Sequence, residues 1–120
     1  GPLPPVEVAA ALRACDVLVQ PYPDGVTTRR TSVMAGLAIG VPTVTTDGFL
    51  TEPVWRASGA VLLAPASDAA AITASTLALL DDRQQRSAFA DAGLRAYLDH
   101  FAIDRSIDRL MTPDPSAAAR

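Results

Sequence analysis

Lysine is absent from this chain: all ten of its Lys/Arg residues are arginine. That excludes Schiff-base chemistry on a lysine and the lysine of a phosphate-binding P-loop. One cysteine, Cys15, excludes an intrachain disulfide and a cysteine-built zinc site. With His100 the only histidine, and far away in sequence, Cys15 is read as a small buried residue at a helix end rather than a nucleophile. His100 is read as a surface or helix-end residue. No apolar run approaches the ~20 residues that span a bilayer. No His/Asp cluster stands at metal-ligand spacing, so no metal is expected. The net charge of −3 offers no basic face to neutralise phosphates along a duplex, so nucleic acid is not an expected partner. The opening Gly1–Pro5 has neither a basic nor an apolar stretch, and a cytoplasmic setting is expected.

What is present is aliphatic. Hydrophobic residues make up 49% of the 120 while aromatics reach only 5%, which suits Ala/Val/Leu-rich α/β layers in close contact. The chain is long enough for one domain. Pro4 and Pro5 suit a first helical turn, with Val8, Leu12 and Cys15 on one face at helical spacing. The chain therefore opens almost directly into a helix, as if cut from a longer protein.

Strands and helices then alternate. Asp16–Tyr22 reads as a continuously apolar strand covered on both faces, ended near Pro21. Pro23-Asp24-Gly25 is a turn. A helix is expected from about Arg29 to Ile39, closed by Gly40 and Pro42. Thr43–Thr46 is a short β-branched strand. A short helix is expected over Glu52–Ala57 and a third strand over Ala60–Ala64. Ser67 and Asp68 offer caps for a helix to about Leu80. A further helix, Arg83 to about Leu98, turns Phe89, Ala92, Ala96 and Tyr97 inward. A last one over Asp104–Leu110 stripes Ile103, Ile107 and Leu110. Residues 1–111 are read as one domain and 112–120 as a disordered tail. The alternation implies a Rossmann-like parallel sheet of about three strands with flanking helices.

Ligands bind such sheets beyond the C-terminal ends of the strands. There lie Pro23-Asp24-Gly25-Val26-Thr27-Thr28-Arg29-Arg30-Thr31-Ser32: a glycine turn, hydroxyls and two arginines at a helix N-terminus. Arginine adds like charge to the positive end of a helix dipole, so two there make sense beside an anion. The bland alternative is that both are solvated or that one pairs with Asp24. Asp47 and Glu52 share the edge. Glu52 is read as a cap for the helix that Pro53 begins, with contact to a ligand as the other reading. Trp55 is read as core.

The string Glu7-Val8, Ala10-Ala11-Leu12, Ala14 to Pro21, then Asp24-Gly25, Met34 to Val44 and Thr51-Glu52-Pro53-Val54 resembles the C-terminal donor domain of glycosyltransferases of the two-domain GT-B fold. The order of motifs over about residues 1–110 carries the resemblance. It implies transfer of a sugar from a UDP- or GDP-linked donor to an acceptor, with no further cofactor. The implied donor-binding residues are Asp24, Gly25, Val26, Thr27, Thr28, Arg29, Arg30 and Ser32. Many members carry two glutamates here, for the sugar and the ribose. Asp24 and Ser32 stand in their places, so one carboxylate is kept and one is lost. The implied partners are the nucleotide sugar, the acceptor and an N-terminal domain of the same parent, and the parent is free to associate with the inner face of a membrane. Absent that N-terminal half, the fragment is expected to be inactive alone and its catalytic residues stay unassigned. The alternatives are a non-catalytic nucleotide- or partner-binding module and a nucleotide-sugar epimerase of the same fold. A receiver-like module would need a lysine.

Overall fold

The computed structural model of the protein describes residues 10–101. The expected start of the first helix, the helix over Asp104–Leu110 and the tail from Thr112 lie outside these residues. Within them the order is β1 (Leu18–Gln20), α1 (Thr31–Ile39), β2 (Thr43–Asp47), α2 (Pro53–Ser58), β3 (Leu62–Pro65), α3 (Ala69–Leu80) and α4 (Arg83–Ala96). A π-helical turn, Tyr97–Phe101, continues α4. The fold is α/β: a three-stranded parallel sheet in the order β1-β2-β3, flanked by helices in a partial Rossmann-like arrangement.

The register sorts the side chains into two faces. Leu18 lies opposite Thr43 and Gln20 opposite Thr45, while Thr45 lies opposite Leu63. These residues share the face that α1 covers. Gly36 allows that approach, because a Cβ there would stand 2.7 Å from Leu18 Cδ2 and 3.2 Å from Thr43 Oγ1. α4 packs against α1 and also reaches β2, and its Gly93 meets Leu37 and the Ala60 carbonyl in the same way. Between the layers sits the core: Val26, Val33, Met34, Leu37, Trp55, Ala60, Val61 and Ala96. Full burial of a side chain such as Leu37 contributes ~1.5–3 kcal/mol. On β2 and β3, Val44, Thr46, Leu62 and Ala64 alternate to the opposite face. α3 lies against β2 and β3.

Local chemistry sets the boundaries. Gly40, at φ 83°, closes α1. Its N–H donates to Leu37 O (3.1 Å) and that of Val41 to Gly36 O (2.9 Å), the two bonds of a Schellman ending. Asp68 and Asp82 cap α3 and α4, accepting from Ala71 N (2.9 Å) and Gln85 N (3.0 Å).

Several expectations need correction. First, β1 is shorter than Asp16–Tyr22, and Val17–Gln20 are half-buried rather than covered on both faces. Among the described residues β1 pairs only with β2, and Pro21 has no N–H to continue the ladder. Second, α1 starts at Thr31, because Thr27–Arg30 forms a turn closed by Arg30 N–H to Thr27 O (3.1 Å). Both arginines therefore precede the helix. Third, Cys15 is exposed, its Sγ donating to Ala11 O at 3.3 Å. α4 also ends at Ala96, and the π-helical turn carries Phe101 onto Trp55 (ring centroids 4.9 Å apart, planes at 18°). Trp55 is fully buried, as a core residue should be. Among the described residues no helix is long and apolar enough to cross a membrane.

Candidate functional site

Two loops meet beyond the C-terminal ends of the parallel strands. One follows β1 and the other follows β2. Where Pro21 interrupts the ladder, threonine hydroxyls replace it. Thr45 Oγ1 donates to Gln20 O (2.6 Å), and Thr46 Oγ1 both accepts from Tyr22 N (2.8 Å) and donates to Tyr22 O (2.7 Å). Thr43, Thr45 and Thr46 are buried, and no described buried side-chain polar atom lacks a partner.

The loops then interlock through backbone. Val26 N–H donates to Thr46 O (2.8 Å) and Leu50 N–H to Asp24 O (3.1 Å). Gly25, at φ 90°, and Gly48 face each other so closely that a Cβ on either would overlap the other's loop. Thr51 holds the second loop, its Oγ1 accepting from Gly48 N at 3.0 Å.

An open cavity of about 440 Å³ lies at this junction, lined by Thr27, Arg29, Arg30, Leu50 and Glu52. Among the described residues the ion pair is Arg56 with Asp47, so neither Arg29 nor Arg30 is neutralised by Asp24. Arg30 lies over the Tyr22 ring, 4.3 Å from its centroid. Burial pushes the Tyr22 phenol up, and the Arg30 guanidinium partly offsets this. α1, just behind, has no side-chain cap and no acidic residue in its first turn. Its first N–H groups lack intrahelical acceptors and carry the positive end of the dipole. Asp47, paired through Arg56 Nε at 2.9 Å, is already engaged.

Glu52 does not do what the sequence led us to expect. It holds the N-cap position of α2, but its side chain makes no capping bond. The carboxylate reaches back across the junction instead. It accepts from Thr28 N (3.1 and 3.3 Å to its two oxygens), from Thr28 Oγ1 (2.7 Å) and from Trp55 Nε1 (3.0 Å). Partial burial pushes its pKa up. The bonds from the Thr28 hydroxyl, the Trp55 indole and the backbone outweigh this and hold it below the usual carboxylate range. A folded-state value below the unfolded one contributes stability above the ordinary carboxylate range, which is lost as pH falls through the depressed value. Trp55 is the only tryptophan, so its fluorescence reports that loss in an acid titration.

Of the residues singled out in the sequence, the cavity thus gathers Thr27, Arg29, Arg30 and Glu52. Asp24 is exposed beside it, its backbone carbonyl engaged by Leu50. Gly25 serves the loop junction, and the Val26 side chain is fully buried in the core. Thr28 faces Glu52. Ser32 is exposed in the first turn of α1. Leu50 was missed: an apolar residue in an irregular loop carries no periodic signal. In comparisons with known proteins, no family model and no curated protein matches the chain.

Proposed function

We propose that this chain supplies part of the donor site of a nucleotide-sugar glycosyltransferase of GT-B architecture, with the phosphates of a UDP- or GDP-linked sugar at the cavity of Arg29 and Arg30. The observation that carries the reading is that pair of arginines. They have no ion-pair partner among the described residues and stand at a cavity past the strand ends, ahead of an uncapped helix. A diphosphate is the ligand class suited to such a place. It accepts planar guanidinium forks and amide N–H groups together. The Thr27 hydroxyl lines the same wall.

The exposed Asp24 carboxylate is the acceptor for sugar hydroxyls in this reading. Ser32 offers a single hydroxyl where a carboxylate would grip both ribose oxygens, so the ribose is held more weakly or by another part of the parent. The acceptor and the reacting groups belong to that other part, and transfer by this chain alone is not expected.

The test is a titration of the ¹⁵N-labelled chain with UDP or GDP. Backbone signals from Gly25 to Ser32 are expected to shift, with Arg29 and Arg30 among the largest. If neither nucleotide moves them at millimolar concentration, the reading fails.

A further inference from the structure

Glu52 is a cavity residue whose carboxylate bonds both to the first loop and to α2. On one side it takes the Thr28 amide and hydroxyl, 24 positions away in sequence, and on the other the Trp55 indole of its own helix. Trp55 is packed in the core, fully buried and stacked on Phe101. Thr28 is exposed and belongs to the turn that carries Arg29 and Arg30. The turn's other bonds are short-range: Arg29 N–H to Thr27 Oγ1 (3.3 Å), Arg30 N–H to Thr27 O (3.1 Å) and Met34 N–H to Arg30 O (3.1 Å), with Arg30 also over the Tyr22 ring. They shape it but do not tie it to the second loop. Its neighbour Val26 is fixed by core burial and by Thr46, yet neither contact reaches Thr28.

We propose that Glu52 is a positioning residue: its carboxylate anchors the Thr27–Arg30 turn to the buried Trp55 and so holds the two arginines at the cavity wall. Thr28 is therefore not a ligand contact, because its amide and hydroxyl are committed to Glu52. A carboxylate suits the task. It is acceptor-only, with about four lone-pair directions for the donors that converge on it. An amide at the same position has one accepting oxygen, and its NH2 would face the Thr28 N–H.

The role of the arginines rests on the donor-site reading, but the anchoring does not, and the experiment separates them. Glu52→Gln and the wild-type chain are compared by amide hydrogen exchange without ligand, by thermal midpoint and by UDP titration. In Glu52→Gln the bonded amides of Thr28, Arg29 and Arg30 are expected to exchange about tenfold faster, the size of one lost hydrogen bond to a charged group. The Trp55 indole signal shifts, the remaining core amides keep their protection, and UDP binds about tenfold more weakly for the same reason. Glu52→Asp keeps the charge but not the reach, and is expected to resemble Glu52→Gln. Thr28→Val deletes only the hydroxyl half of the link and keeps the test open if the Glu52 variants do not fold. It is expected to move exchange in the same direction by less. Unchanged exchange from Thr28 to Arg30 in Glu52→Gln, or full recovery in Glu52→Asp, overturns the anchoring. If the wild-type chain binds no nucleotide, the donor-site reading falls while the exchange comparison still decides the role of Glu52.

Discussion

Trp55→Ala is expected to lose about 3–5 kcal/mol of folding stability, the usual cost of truncating a large buried aromatic. Trp55 is fully buried in the cluster with Val33, Met34 and Leu37 and stacks on Phe101. Its indole N–H also satisfies Glu52. Truncation leaves a cavity, unpartners Phe101 and removes a donor from the carboxylate. Against a typical domain stability of about 5–15 kcal/mol, that is a large share. Trp55→Phe separates the contributions. It keeps a ring against Phe101 and loses the indole donor, and is expected to cost about 1–3 kcal/mol. Urea unfolding followed by circular dichroism checks both, and a loss under about 1 kcal/mol for the alanine variant contradicts the packing described.

Gly25→Ala is expected to be the most damaging single-methyl change in the site. Gly25 sits at φ 90°, where an L-residue is strained by about 1–3 kcal/mol. Its Cβ would also overlap Thr51 Oγ1 and Gly48 N. The obstacle is largely backbone, so relief requires the two loops to part. That breaks the Leu50 to Asp24 bond and opens the cavity. Gly59→Ala is the matched control. Gly59 lies at φ 64° with nothing within 4 Å of the added atom, so only the conformational cost of about 1–2 kcal/mol applies. The Gly25 variant is expected to exceed the control by about 2 kcal/mol or more, the cost of overpacking, and to lose any nucleotide-dependent shifts. Equal urea midpoints for the two variants would mean that the loops are not interlocked.

These two residues also mark what the sequence made legible. Trp55 was readable as core, since a lone tryptophan beside Val54 is more often packed than functional. The order of elements followed from alternation and from punctuation by Gly40, Pro42, Gly59 and Asp68. Each acts locally, through a left-handed ending or a side-chain cap. The half-buried state of β1 was not legible, because an apolar run such as Val17-Leu18-Val19 reads alike whether or not it is fully covered. Nor was the destination of Glu52. Capping is a local preference, and the Thr28 donors that outcompete it come from a loop that only the parallel sheet brings near. The pairing of Gly25 with Gly48 was hidden for the same reason. Each glycine alone signals a turn, and only the register of β1 with β2 turns the pair into a close backbone contact. Arg29 and Arg30 were singled out by position, and the cavity they line was found with them. Leu50, which shares it, carried no sequence signal.

The central claim is that this cavity takes phosphate through its arginines. Calorimetric titration of UDP and of uridine against the wild-type chain and the Arg29→Ala/Arg30→Ala double variant tests it most directly. The account predicts that UDP binds and uridine binds far more weakly. It also predicts that the double variant loses at least about tenfold in UDP affinity, as expected when charged hydrogen bonds are removed. Equal binding of UDP and uridine, or a double variant that binds UDP as the wild type does, contradicts it.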